Sequence, residues 1–215
     1  MHAYQQEFIA FALAEGGLRF GHFTLKSGRQ SPYFFNTGVF DTGAALARLG
    51  EYYAAALVAA GWSFDMLYGP AYKGIPLGAA VAIAFANRHG RDVPFCFNRK
   101  EAKDHGEGGK LMGAKLAGRV IVVDDVISAG TSVNESVDII TQAGATVAGA
   151  VIALDRQERG SDSLSAIQEV RARHGIPVVS IITVTDIVDF LAIAGNHPQE
   201  ITEINDYRLR YGVSL

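Results

Sequence analysis

Arg119-Val120-Ile121-Val122-Val123-Asp124-Asp125-Val126-Ile127-Ser128-Ala129-Gly130-Thr131-Ser132 decides how this chain is read. Val120 to Val123 form an uninterrupted apolar run, the pattern of a strand buried on both faces. The run stops at two adjacent carboxylates, Asp124 and Asp125, and small and hydroxylated residues follow from Ser128 to Ser132. Val133, Val137, Ile139 and Ile140 then recur at helical spacing. Strand, acidic pair, Gly/Ser/Thr loop and helix start together describe a site for a phosphorylated sugar. Backbone N–H groups of the loop and the helix N-terminus can hold a phosphate. The acids can accept hydrogen bonds from sugar hydroxyls or face a magnesium ion. A plainer reading stands beside this one: Ser132-Val133-Asn134-Glu135 fits a capping box, which would make the hydroxyls helix caps. Two ionised groups side by side at the carboxyl end of a buried strand weigh against it. They cost self-repulsion and desolvation unless a ligand compensates.

Outward from this stretch, strand-like and helix-like segments alternate. Helices are predicted over Tyr4 to Glu15, Thr42 to Ala60, Ile75 to Arg88, the stretch from Val133, Leu164 to His174, Ile187 to Ile193 and Pro198 to Tyr211. Strands are predicted at Asp65 to Tyr68, Val93 to Phe97, Val120 to Val123, Thr146 to Leu154 and Pro177 to Thr183. This alternation predicts an α/β fold, a parallel sheet flanked by helices. The segment before Thr42 has hairpin-like pieces and predicts a small cap.

With 215 residues and 49% hydrophobic content, one domain spanning 1–215 with a sizeable core is expected. A net charge of −3 gives no electrostatic reason to expect nucleic acid or an anionic membrane as partner. The single cysteine, Cys96, cannot form an internal disulfide and reads as a buried strand residue. Neither a leader pattern nor a membrane-spanning stretch is read, so a reducing cytoplasm is expected. The histidines other than His105 show no metal-ligand spacing.

Three further segments carry chemistry. Gly69-Pro70-Ala71-Tyr72-Lys73-Gly74-Ile75-Pro76 follows a short apolar strand, and its glycines and prolines impose an unusual turn around Lys73. It reads either as a second anion loop or as an ordinary connection with a solvated lysine. Arg99 to Lys110 is dense in charge and glycine, which predicts a flexible surface loop. Such a loop can close over a polyanion through Arg99, Lys100, Lys103 and His105. Arg156 follows a buried strand directly; it either pairs with Asp155 or Glu158 or makes a forked contact with a substrate carboxylate.

These segments resemble the motifs of one family. Val122 to Thr131 looks like the phosphoribosyl pyrophosphate signature of the type I phosphoribosyltransferases. Gly69 to Pro76 and Asn98 to Gly109 resemble the pyrophosphate loop and mobile catalytic loop of their orotate-specific branch. Phe23-Thr24-Leu25-Lys26-Ser27-Gly28-Arg29 and Ser31-Pro32-Tyr33-Phe34-Phe35-Asn36 are similar to its N-terminal substrate segment. The similarity covers nearly the whole chain in order. The resemblance implies a type I phosphoribosyltransferase-like sheet with an N-terminal hood over about residues 1–40. It also implies transfer of ribose 5-phosphate from phosphoribosyl pyrophosphate to orotate, with Mg2+ carried mainly by the pyrophosphate substrate near Asp124 and Asp125. By resemblance, Lys73, Arg99, Lys100, Lys103, His105, Asp124 and Asp125 would carry catalysis. Lys26, Tyr72 and Val126, Ile127, Ser128, Ala129, Gly130, Thr131 and Ser132 would join them in holding phosphoribosyl pyrophosphate. Lys26, Phe34, Phe35, Ser128 and Arg156 would hold orotate. A homodimer with active sites shared between chains is implied as well. Two rivals remain open: a transferase for another base such as a purine, and a non-catalytic sensor of phosphoribosyl pyrophosphate.

Overall fold

The computed structural model describes residues 1–103, 109–127, 130–160 and 163–213, without the side chains of 101–103 and 109. In chain order the elements are α1 (Ala3–Ala14), β1 (Leu18–Thr24), β2 (Gln30–Phe35), α2 (Gly43–Ala60), β3 (Met66–Gly69), α3 (Gly74–His89), β4 (Phe95–Lys103), β5 (Gly109–Gly113), β6 (Arg119–Val123), α4 (Thr131–Gln142), β7 (Thr146–Asp155), α5 (Ala166–His174), β8 (Val178–Thr183), α6 (Val184–Ala194) and α7 (Pro198–Tyr211).

Six strands form the central sheet in the order β5-β4-β3-β6-β7-β8. All pairings are parallel except β4 with β5, which is antiparallel. The pleat divides each central strand between two cores. Val120 and Val122 of β6, with Tyr68 and Ile152, pack on the side of α4 and α5. Ile121 and Val123, with Leu67 and Val151, face α1, α2, α3 and α6. Apolar residues at every position of β6 after Arg119 therefore reflect burial on both faces.

The chain leaves β3 toward β4 on one side and returns to β6 on the other, so strand order reverses between β3 and β6. At such a reversal the two carboxyl-end loops diverge and open a crevice, the usual ligand position in open α/β sheets. The loops here are Pro70–Lys73 after β3 and Asp124–Gly130 after β6. β1 and β2 form a separate antiparallel pair near the carboxyl end of β7: Arg29, in their connecting turn, donates to the carbonyls of Arg159 and Gly160 at 2.8 and 3.1 Å.

One expectation needs correction. The charged stretch from Arg99 is not a loop throughout: β4 runs on to Lys103, and β5 begins at Gly109. Backbone pairing of Asn98 with Leu111 and Lys103 with Gly109 overrides the composition. The tip, residues 104–108 with His105, lies outside the described residues. The sheet consequently carries an antiparallel edge strand that apolar periodicity did not reveal.

Candidate active site

β6 delivers its two carboxylates to different environments. Asp124 is 7% exposed and receives the Asp125 N–H on Oδ1 at 2.9 Å, together with the Ser132 hydroxyl. Burial, aided by the neighbouring Asp125 charge, pushes its carboxyl above the ordinary value; the Ser132 and Asp125 hydrogen bonds and Lys73 pull the other way. The Asp124 backbone is fixed on two sides. Its N–H donates to Val151 at 3.0 Å, and its carbonyl accepts the hydroxyl of fully buried Tyr53 at 2.8 Å.

Asp125 lies nearer the surface. Oδ1 caps the Val126 N–H at 2.7 Å, and Oδ2 meets Lys73 Nζ at 2.5 Å. That ion pair joins the loop after β3 to the loop after β6 across the crevice. With Lys73 54% exposed, water screens it, and it contributes more to placing two charges than to stability.

The loop after β3 is compact because Gly69 and Gly74 close on each other. A Cβ on Gly69 would collide with the Gly74 carbonyl. The Ala71–Tyr72 peptide is cis. Asn98 of β4 accepts the Ala71 N–H on Oδ1 at 2.8 Å, and Lys100 lies 4.9 Å from the centre of the exposed Tyr72 ring. Arg99, the adjacent position, turns instead toward β5, where Nε meets Met112 Sδ at 2.7 Å.

At α4 the capping-box reading is overturned. The helix begins at Thr131, its N-cap is Gly130 at φ +68°, and no side chain caps it among the described residues. Glycine takes this left-handed conformation without a Cβ penalty. Ser132, already inside the helix, sends its hydroxyl to Asp124 rather than to a backbone amide. The uncapped N-terminal amides are the donors an anion needs. Val126 and Ile127 are half-buried, and Ser128 and Ala129 lie outside the described residues. A cleft of about 250 Å³ lies between the two loops, lined among others by Ala71, Asn98, Lys100, Thr131 and Ser132.

The N-terminal pair of strands adds a second cluster. Phe35 is 8% exposed and packs edge-on to Phe8 in the core. Phe34, on the other face, stacks on Phe23 at 5.4 Å beneath the Arg19 guanidinium. Only Phe34 of the two presents its ring outward. Lys26 is exposed in the β1–β2 turn. Arg156, just past β7, bonds Glu158 Oε1 through Nε at 2.8 Å and the Ser31 hydroxyl through Nη2 at 2.9 Å, and lies 4.2 Å over the Tyr33 ring. Of the two carboxylates read as its alternatives, Glu158 is the partner; Asp155 accepts the Gln157 N–H instead.

The structure thus brings Lys73, Tyr72, Lys100, Asp124, Asp125, Thr131 and Ser132 to one crevice. Arg99 faces away from it, the Lys103 side chain and His105 are outside the description, and Lys26, Phe34 and Arg156 belong to the second cluster. Sequence reading gave no role to Asn98, Tyr53, Tyr33 or Tyr207. Asn98 was open to discovery, since a polar residue ending an apolar strand repeats the Val123–Asp124 pattern. The tyrosines sit at positions indistinguishable from ordinary core.

The two carboxylates suit a hard cation bound chiefly by a ligand's own oxygens. Among the described residues no group of three or more His, Cys, Asp or Glu is placed to hold a metal.

Comparison with known proteins agrees with this geometry. The model of the phosphoribosyl transferase domain matches residues 38–184. An orotate phosphoribosyltransferase from Thioalkalivibrio sulfidiphilus is 60% identical over 213 residues, covering 99% of this chain and 100% of the relative. A crystal structure of orotate phosphoribosyltransferase from Francisella tularensis superposes with a TM-score of 0.87 at 41% identity, covering 96% of this chain and 99% of that one. Adenine phosphoribosyltransferase from Leishmania donovani shares the fold alone, with a TM-score of 0.56 at 16% identity over 86% of this chain and 81% of that one. The loops after β3 and β6, the uncapped helix between acid pair and cleft, and full-length similarity converge: the chain belongs to the orotate phosphoribosyltransferase family of phosphoribosyl transferase domain proteins.

Proposed function

We infer that this chain transfers the ribose 5-phosphate group of phosphoribosyl pyrophosphate to orotate, giving orotidine 5′-monophosphate and pyrophosphate in pyrimidine synthesis. The observation that carries the reading is the Lys73–Asp125 contact at 2.5 Å, which sets a cation for a leaving polyanion beside a carboxylate for a sugar. The orotate ring nitrogen displaces pyrophosphate at the anomeric carbon, and positive charge develops on the ribose. Catalysis here is positioning and electrostatics. Asp124 and Asp125 hold the ribose hydroxyls and favour the cationic sugar. Ser128 to Ser132, with the free amides of α4, fix the 5′-phosphate. Lys73, Tyr72 and Lys100 face the pyrophosphate. Mg2+, when bound through the substrate near Asp124 and Asp125, neutralises charge on that leaving group. Arg156, Lys26, Phe34 and Phe35 bind orotate, Phe35 through its strand rather than its buried ring.

The chain acts in the cytoplasm as one domain whose N-terminal hood covers the base, and as a homodimer. Arg99 supports the dimer: it faces β5 and not its own crevice, while its neighbour Lys100 lies over Tyr72. A basic hairpin with that division of faces serves a neighbour's site as well as its own. Against a purine base stands the Arg156 cluster, which suits a carboxylate that purines lack. Against a nucleic-acid-binding sensor stands the net charge of −3.

The test is spectrophotometric: orotate absorbance should fall only when orotate, phosphoribosyl pyrophosphate and magnesium are all present. Consumption of adenine or guanine with orotate untouched would replace this reading by the purine one.

A further inference from the structure

Glu158 is the most heavily bonded carboxylate among the described residues, and the reaction assigns it nothing. Its side chain is 12% exposed and sits where four elements meet. Oε1 accepts Arg156 Nε at 2.8 Å and the Tyr33 hydroxyl of β2 at 3.3 Å. Oε2 accepts the Tyr207 hydroxyl of α7 at 3.0 Å and faces Arg29 Nη1, from the β1–β2 turn, at 3.7 Å. Burial raises both phenols, Tyr207 to about 12, so each remains a neutral donor to Glu158.

We propose that Glu158 is the positioning residue that fixes which edge of the Arg156 guanidinium faces the base, and so sets selectivity for a carboxylated pyrimidine. An arginine has five donor hydrogens in one plane. Glu158 Oε1 takes Nε at 2.8 Å and Nη2 at 2.7 Å, the Ser31 hydroxyl takes the other hydrogen of Nη2 at 2.9 Å, and the Tyr207 hydroxyl also bonds the Arg156 side chain. The Tyr33 ring, 4.2 Å from the guanidinium carbon, holds the plane from one face. What remains is the Nη1 end, held in a fixed direction and able to donate to a substrate carboxylate.

Charge agrees with geometry. Two guanidiniums, Arg29 and Arg156, and one carboxylate leave a single net positive charge, which one substrate carboxylate neutralises. Glu158 also ties the hood to the carboxyl edge of the sheet, since two of its donors come from β2 and the β1–β2 turn.

The inference rests on the orotate reading above, so its test begins with the wild-type chain. In Glu158→Gln the side chain keeps its length and loses its charge; in Glu158→Asp it keeps charge and no longer reaches both tyrosines and Arg156. Each should raise the orotate KM by about tenfold, the loss of a charge-assisted hydrogen bond, and leave the phosphoribosyl pyrophosphate KM within about twofold. In an Arg156→Lys background either change should add less than about twofold, because the residue acts through the arginine. Unchanged orotate KM in both variants, an equal rise for both substrates, or full additivity with Arg156→Lys overturns the proposal while the orotate reading stands. A wild-type chain that consumes no orotate overturns both.

Discussion

Tyr53→Phe isolates one hydrogen bond that joins the core to the acid pair. The Tyr53 ring is 0% exposed in α2, and its hydroxyl donates to the Asp124 carbonyl at 2.8 Å. No other donor reaches that carbonyl among the described residues. Phenylalanine fills nearly the same volume, so the cavity contribution is small and the loss is that of a buried, unsatisfied acceptor. That costs about 1–3 kcal/mol. For a chain of this size each kcal/mol lowers Tm by roughly 2–4 °C, which gives a fall of about 4–8 °C at the centre of the range. Circular dichroism melts and urea titration measure it, with the urea m-value unchanged. The neighbouring Tyr52 supplies the contrast, because its hydroxyl accepts from the exposed Arg48 at 2.9 Å. Tyr52→Phe leaves a solvent-accessible donor free to bond water and should shift Tm by less than about 2 °C. If both variants melt together, or Tyr53→Phe melts with the wild type, the Asp124 carbonyl is satisfied some other way and the reasoning fails.

The fold was legible wherever burial is two-sided. Val120 to Val123 announced a central strand because every residue faces a core, and the alternation around it specified a parallel sheet. Lys73, Asp124 and Asp125 were legible for a related reason: charge at the end of an apolar strand has few structural uses. β5 was hidden because edge pairing depends on backbone hydrogen bonds, and Gly109-Lys110-Leu111-Met112-Gly113 carries no strand-like periodicity. The capping box, the plainer reading of Ser132, failed because helix boundaries shift by a residue or two and Gly130 takes the cap position. Glu158 stayed out of view for another reason. Its partners lie 2, 49, 125 and 129 positions away, and no local pattern encodes a cluster assembled by the tertiary fold.

Three further outcomes separate the roles assigned to the site. Arg156→Lys keeps the charge and loses the fork, so the orotate KM should rise by at least about tenfold against little change for phosphoribosyl pyrophosphate; equal constants would make Arg156 structural. Burial raises Asp124 above its unfolded value, so the folded chain holds that proton more tightly and loses this part of its stability as pH rises through the folded pKa. Asp124→Asn should therefore gain in Tm over the wild type as pH rises above about 4, the ordinary aspartate value, while losing turnover; a gap that does not widen with pH refutes the assignment. The dimer proposal is decided by mixing. Asp125→Asn damages the sugar site, and Lys103→Ala damages the hairpin strand that leads to the tip; each chain alone should be nearly inactive. If the hairpin serves the neighbour, a mixed dimer collects both lesions in one site and none in the other. Random exchange makes half the dimers mixed, so about a quarter of all sites become intact and activity returns to roughly that fraction. Exchanged heterodimers that remain as inactive as their parents would place the hairpin over its own crevice, and Arg99, facing Met112, would then have no substrate to reach.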